Sequence, residues 1–114
     1  MPNLRGVGRE AEDRAADFLV SQGYTLVTRR HKTRRGELDI VALDGDILVF
    51  VEVKFRRAPG YSPEESLSRS KIESLRIAIN LYLYEMEISP SRVRLDLIAI
   101  DSSGVRHHQD LLAP

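Results

Sequence analysis

The chain has 114 residues, 42% of them apolar and 30% charged, with 17 Lys and Arg balanced by 17 Asp and Glu and no cysteine. That length supports one domain, residues 1–114, around one core, and the apolar content excludes a disordered chain. The lack of cysteine excludes disulfides, a thiolate zinc site and a cysteine nucleophile.

In chain order, the first ten residues hold no apolar stretch of signal-peptide length. The longest apolar runs, at 40–43 and 47–51, fall far short of the ~20 residues that cross a bilayer. No membrane association and a cytoplasmic location are therefore expected. Residues 8–22 predict a helix, with Ala11, Ala15, Phe18 and Leu19 at helical spacing and Gly23 as its stop. Tyr24 to Thr28 predict a short strand. The run RRHKTRR follows, in which Arg29, Arg30, Lys32, Arg34 and Arg35 form a candidate phosphate-contacting patch. A solvated strand end is the alternative.

GELDIVAL (36–43), a turn at Asp44-Gly45 and ILVFVEVK (47–54) predict a hairpin. A loop at 55–63 leads to a helix start at Ser62-Pro63-Glu64-Glu65. A helix over about 68–87 has Leu75, Ile79, Leu83 and Met86 as its core stripe. A strand at about 92–100, a turn at Ser102-Ser103-Gly104 and a last short strand complete the order. The fold class is α/β, with a mixed central sheet flanked by helices.

Carboxylates stand where apolar residues belong. Asp39 falls in line with Val41 and Leu43, and Glu52 and Lys54 share a face with Leu48 and Phe50. Burying ionised carboxylates is costly unless something pairs with them. A two-residue turn at Asp44-Gly45 sets Asp39 opposite Phe50, Glu37 opposite Glu52, and Glu52 diagonal to Asp39. Asp39, Glu52 and Lys54 then converge at one end of the hairpin, a compact place for a divalent cation. Mg²⁺ is commonly held by one or two carboxylates plus substrate phosphate. The alternative is a structural Glu52–Lys54 ion pair, with Asp39 satisfying a backbone amide. Glu12 sits beside the apolar stripe of the first helix and faces the sheet if that helix packs on the hairpin; an arginine partner is its alternative.

An acid on a first helix, an Asp opening an apolar hairpin and Glu-x-Lys on the second strand resemble the PD-(D/E)xK nuclease core, the restriction-endonuclease-like fold. The segments 11–19, 22–24, 34–56, the stretch around Lys71 and 94–101 more closely resemble the YraN family of small bacterial proteins. The resemblance implies Glu12, Asp39 and Glu52 as metal-binding acids for Mg²⁺ or Mn²⁺. It implies Asp39, Glu52 and Lys54 as the catalytic set, Glu37 as an accessory acid and Lys71 as a phosphate contact. The expected activity is phosphodiester hydrolysis in DNA, rather than RNA, in repair or recombination. Arg29, Arg30, Lys32, Arg34, Arg35, Arg56 and Arg57 would grip the backbone. A non-catalytic nucleic-acid-binding module of a DNA-processing complex is the rival. So short a chain has little surface for both strands, so a homodimer or a DNA-processing partner protein is expected.

His107 and His108 are adjacent, so they point to opposite faces and cannot share a metal; surface or strand-end polarity is expected of them. Asp96 is expected to make a structural pair, and Tyr82 and Tyr84 to lie in a core or an interface.

Overall fold

A computed structural model describes residues 4–57 and 60–113, with side chains from Gly8 onward. The expected loop at 55–63 therefore lies partly outside the described residues. Helix α1 spans Leu4–Ser21, starting before the expected position. It stops where expected: the Gly23 amide donates to the Val20 carbonyl and the Tyr24 amide to that of Leu19. Those bonds require the left-handed backbone that Gly23 adopts at φ 93°.

The strands are β1 (Thr25–Thr33), β2 (Gly36–Asp44), β3 (Ile47–Phe55), β4 (Arg92–Asp101) and β5 (Gly104–His108). They lie in the spatial order β1-β2-β3-β4-β5. Only β3 and β4 are parallel, and a parallel pair needs a long crossover. Helix α2 (Arg69–Glu85) supplies it. Helix α1 packs Ala11, Ala15 and Leu19 on one face of the sheet, against Ile40, Val49, Val51 and Ile98. Helix α2 packs Leu75, Ile79 and Tyr82 on the other, against Val41, Phe50 and Leu95. The result is the three-layer α/β core expected from the sequence. None of its described helices is long and apolar enough to cross a membrane.

Four details differ. Strand β1 runs on through the basic segment to Thr33, because its antiparallel partner β2 takes up the backbone groups of a stretch that composition alone reads as a loop. The β2–β3 turn is Gly45-Asp46, with Asp44 paired to Ile47. Gly45 alone of the two has positive φ, 62°, as a turn with Gly in first place requires. The Pro63–Ser66 segment is a separate 3-10 turn, closed by the Ser62 amide on Glu65 Oε2, while Ser68 caps α2 through the Lys71 amide. In α2 the buried stripe takes Tyr82, whereas helical phase turns Tyr84 outward at 82% exposure, and Met86 is half-exposed just past the helix end at Glu85.

One polar cluster is buried on the α1 side. Asp96, with 0% exposure, accepts two bonds from Arg94, each 2.9 Å, one from His107 Nε2 at 2.7 Å and one from the Asp110 amide at 3.0 Å. Burial alone would raise its pKa, but His107, Arg94 and the amide outweigh that and hold it low. The expected structural pair is present. His107, expected at the surface, is mostly buried: its ring packs edge-on to Phe18 and Tyr24, which leaves Asp96 as its polar partner. His108 lies on the opposite face, on Glu64, which also takes two bonds from Arg106. Glu64 thereby fastens the 3-10 turn to β5.

Candidate functional site

Strands β2 and β3 part at their ends. Their last ladder pair is Ile40 with Val51, and continued register sets Asp39 across from Glu52. Beyond that point the Val53 amide donates to Asp39 Oδ2 at 2.9 Å, so a carboxylate replaces the missing backbone acceptor.

The same place carries a break in alternation. Ile40 packs on the α1 side and Leu38, two residues away, on the α2 side. Strand β1 turns with it: Arg29 pairs with Ile40 and His31 with Leu38, and the His31 ring meets Tyr82 of α2 edge-on at 4.9 Å. Between them Arg30 sits at φ 51°, a left-handed conformation uncommon outside glycine. Regular alternation would send consecutive residues to opposite faces. Here both reach α1, Arg29 to Asp13 at 2.6 Å and Arg30 Nε to Glu12 Oε1 at 2.9 Å.

Glu52 is 6% exposed and follows Phe50 onto the α2 side. Burial first, then its hydrogen bond to Asp39 and the charge there, push its pKa up to about 8, while Lys54 and Lys71 pull it down. Burial and the neighbouring Asp39 thus both favour the protonated form of Glu52. Its Oε2 is buried and meets no donor. Two adjoining carboxylates, one with an unsatisfied buried oxygen, fit a hard divalent cation, and the two nearby ammonium groups suit a phosphate.

The sequence-predicted residues divide into three sets. Asp39 and Glu52 stand across from each other, and the charges of Lys54 and Lys71 act on Glu52. Glu37 does not stand opposite Glu52, because the turn shift moves the β2–β3 register by two; on its other side the exposed Glu37 pairs with Lys32 of β1. Glu12 is held by Arg30 and does not join Asp39 and Glu52; its arginine partner was the alternative reading. Among the described residues no three His, Asp or Glu side chains are grouped to hold an ion.

Of the basic residues, Arg29, Arg30 and Lys32 lie along β1, and Arg34 and Arg35 form its exposed turn into β2. Arg56 and Arg57 are exposed just past β3, with the Arg56 guanidinium 5.8 Å from the Tyr61 ring centre. Sequence reasoning missed Arg9. It joins Gly8, Glu12, Arg30, Lys32 and Glu37 around a cleft of about 530 Å³ between α1 and β1. Only a fold that brings the first helix onto β1 reveals it.

The model of the uncharacterised protein family UPF0102 matches residues 11–100. A UPF0102 protein of Carboxydothermus hydrogenoformans is 37% identical over 115 residues, covering 96% of this chain and 98% of its own. One from Persephonella marina is 36% identical over 101 residues, with 88% and 87% covered. One from Rhodococcus opacus is 42% identical over 101 residues, with 88% and 86% covered.

Proposed function

The chain belongs to the uncharacterised protein family UPF0102, and we propose that it is a metal-dependent nuclease that hydrolyses DNA phosphodiesters in repair or recombination. The observation that carries this reading is Asp39 set across the strands from Glu52, whose buried Oε2 lacks a donor, with the charges of Lys54 and Lys71 acting on it. Asp39 and Glu52 hold Mg²⁺ or Mn²⁺. When bound, the cation supplies Lewis acidity toward the phosphodiester and lowers the pKa of an attacking water. Lys54 stabilises negative charge on the phosphate and orients that water. Lys71, in the first turn of α2, adds a second positive contact. The Val53 amide fixes the Asp39 carboxylate, so the site does not depend on a mobile rotamer.

Arg29, Arg30, Lys32, Arg34, Arg35, Arg56 and Arg57 contact the phosphate backbone, which gives affinity without base readout. A second copy or a DNA-processing partner supplies the grip on a second strand.

The test is cleavage of single-stranded, duplex, flap and four-way-junction DNA with Mg²⁺ or Mn²⁺, beside an Asp39→Asn/Lys54→Ala variant. Cutting by the parent alone, abolished by EDTA, is the expected result. DNA binding that needs Arg34 and Arg35 but shows no cutting would instead establish the non-catalytic binding module.

A further inference from the structure

Helix α2 carries a second apolar row, on the side away from the core. Leu75, Ala78, Ile79 and Tyr82 are buried against the sheet. Ile77, Leu81 and Tyr84 lie on the opposite side by helical phase, and Ile88 continues their line just past the helix end. Their intervals of four, three and four residues are those of a coiled-coil seam. Ile77 and Ile88 are each 38% exposed and Tyr84 far more so. The helix stop holds Ile88 in place: its amide donates to the Leu83 carbonyl at 3.1 Å, and the Glu87 amide to that of Tyr84 at 3.2 Å. Glu87 takes the left-handed conformation, φ 53°, that glycine usually supplies at such a stop.

The two ends of this row carry opposite charge. At one end Arg34 and Arg35, from the β1–β2 turn, line a cleft of about 320 Å³ with Ile77 and Leu81. At the other, Glu85 and Glu87 line a cleft of about 760 Å³ with Tyr84 and Ile88. All four charged residues are exposed, and among the described residues none of them makes a salt bridge. Ile77 and Glu85 stand four residues to either side of Leu81, about 6 Å of helix each way.

We propose that the outer face of α2 is a homodimer interface, in which two copies pair their α2 helices antiparallel about a two-fold axis at Leu81. That operation sets Ile77 against Tyr84 of the partner subunit and brings Arg34 and Arg35 to the partner's Glu85 and the partner's Glu87. A surface basic at one end and acidic at the other complements itself when turned end for end, as a two-fold contact requires. A nucleic acid, or any partner of one sign, would meet like charge at one end. The exposed Tyr84 ring is the anchor of the contact, since aromatic side chains dominate interface cores. One helix face with two charged corners is a small interface, so the dimer is weak, with a Kd on the order of 10–100 μM. The inference does not depend on the nuclease reading. Arg34 and Arg35 serve both, because a guanidinium presents more N–H donors than one carboxylate takes.

The test is sedimentation velocity of the full chain from about 5 to 500 μM, a range that brackets such a Kd. A concentration-dependent shift from monomer to dimer is expected. Tyr84→Ser is expected to raise the Kd about thirtyfold or more. Glu85→Arg/Glu87→Arg makes both ends basic, and Arg34→Glu/Arg35→Glu makes both acidic. Each variant alone is expected to stay monomeric, and an equimolar mixture of the two to dimerise. Circular dichroism checks that each variant is folded.

A parent that stays monomeric throughout would overturn the proposal and leave the row to a different protein. Parent dimers that ignore Tyr84→Ser and both charge reversals would lie on another surface, which also overturns it. A mixture that stays monomeric while the parent dimerises would overturn the antiparallel pairing.

Discussion

Asp39 and Glu52 face each other where β2 and β3 part, with one Glu52 oxygen buried and unsatisfied. Neither carboxylate helps the core pack. The arrangement sets two acids at one point of an apolar sheet, where burial and Asp39 both disfavour the charged form of Glu52.

Asp39→Asn keeps an oxygen that can accept the Val53 amide but removes the charge. Cleavage should fall by about a thousandfold or more, since a divalent cation contributes several kcal/mol to the transition state. Stability should stay within about 0.5 kcal/mol of the parent. Single-turnover kinetics and a urea melt on the same preparation check both halves. Equal loss of stability and cleavage would make Asp39 a structural residue.

Stability of the metal-free protein should depend on pH through Glu52. Its folded pKa, about 8, lies above the ordinary 4.5, so the folded state binds its proton more tightly than the unfolded chain. That contribution is full below about pH 4.5 and is lost progressively as pH rises toward 8. Glu52→Gln should flatten this slope and be the more stable protein at pH 9, by about 1–3 kcal/mol. Glu64 acts in a different window: its bonds to Arg106 hold its pKa down to about 2, so its contribution is present above the ordinary 4.5 and lost as pH falls toward 2. Urea midpoints from pH 3 to 9 in EDTA separate the two limbs. Cation binding at pH 7 should release about one proton, read by calorimetry in buffers of different ionisation enthalpy.

Asp96→Ala should cost about 3 kcal/mol, because it takes the polar partner of the mostly buried His107 and leaves the mostly buried Arg94 with only Asp44 and the Tyr24 hydroxyl. Denaturant unfolding measures this directly. A cost below about 1 kcal/mol would mean that water reaches the cluster and replaces the carboxylate.

Arg34→Ala/Arg35→Ala should lower the slope of log affinity for duplex DNA against log salt by up to about 1.8, if each contacts one phosphate. Fluorescence anisotropy over a KCl series reads the slope. Asp39→Asn should leave it unaltered.

The sequence carried the order of elements and the α/β layers, because apolar periodicity and turn residues report on both. It also carried the Glu52–Lys54 face and the meeting of Asp39 with Glu52. The register was two residues off because Asp44-Gly45 and Gly45-Asp46 both satisfy turn chemistry; only the positive φ of Gly45 in first place decides between them. The face reversal at Arg30 and Asp39 had no signal, since an arginine occupies a conformation that glycine or asparagine usually marks. For the same reason the ion pair that takes Glu12 could be named as an alternative, but its partner could not. Tyr82 and Tyr84 could be told apart only by helical phase: Tyr82 is buried with Leu75 and Ile79, and Tyr84 turns outward.

Strand β1 is an outer edge of the sheet, and it carries a register shift between Leu26 and Thr28 as well as the row of positive side chains. An open edge ordinarily invites another strand to add to it, and an irregular, positively charged edge repels that addition. The irregularity and positive charge of β1 therefore guard the chain against stacking edge to edge with its own copies. Neutralising Arg29, Arg30 and Lys32 together would expose the protein to aggregation through this edge.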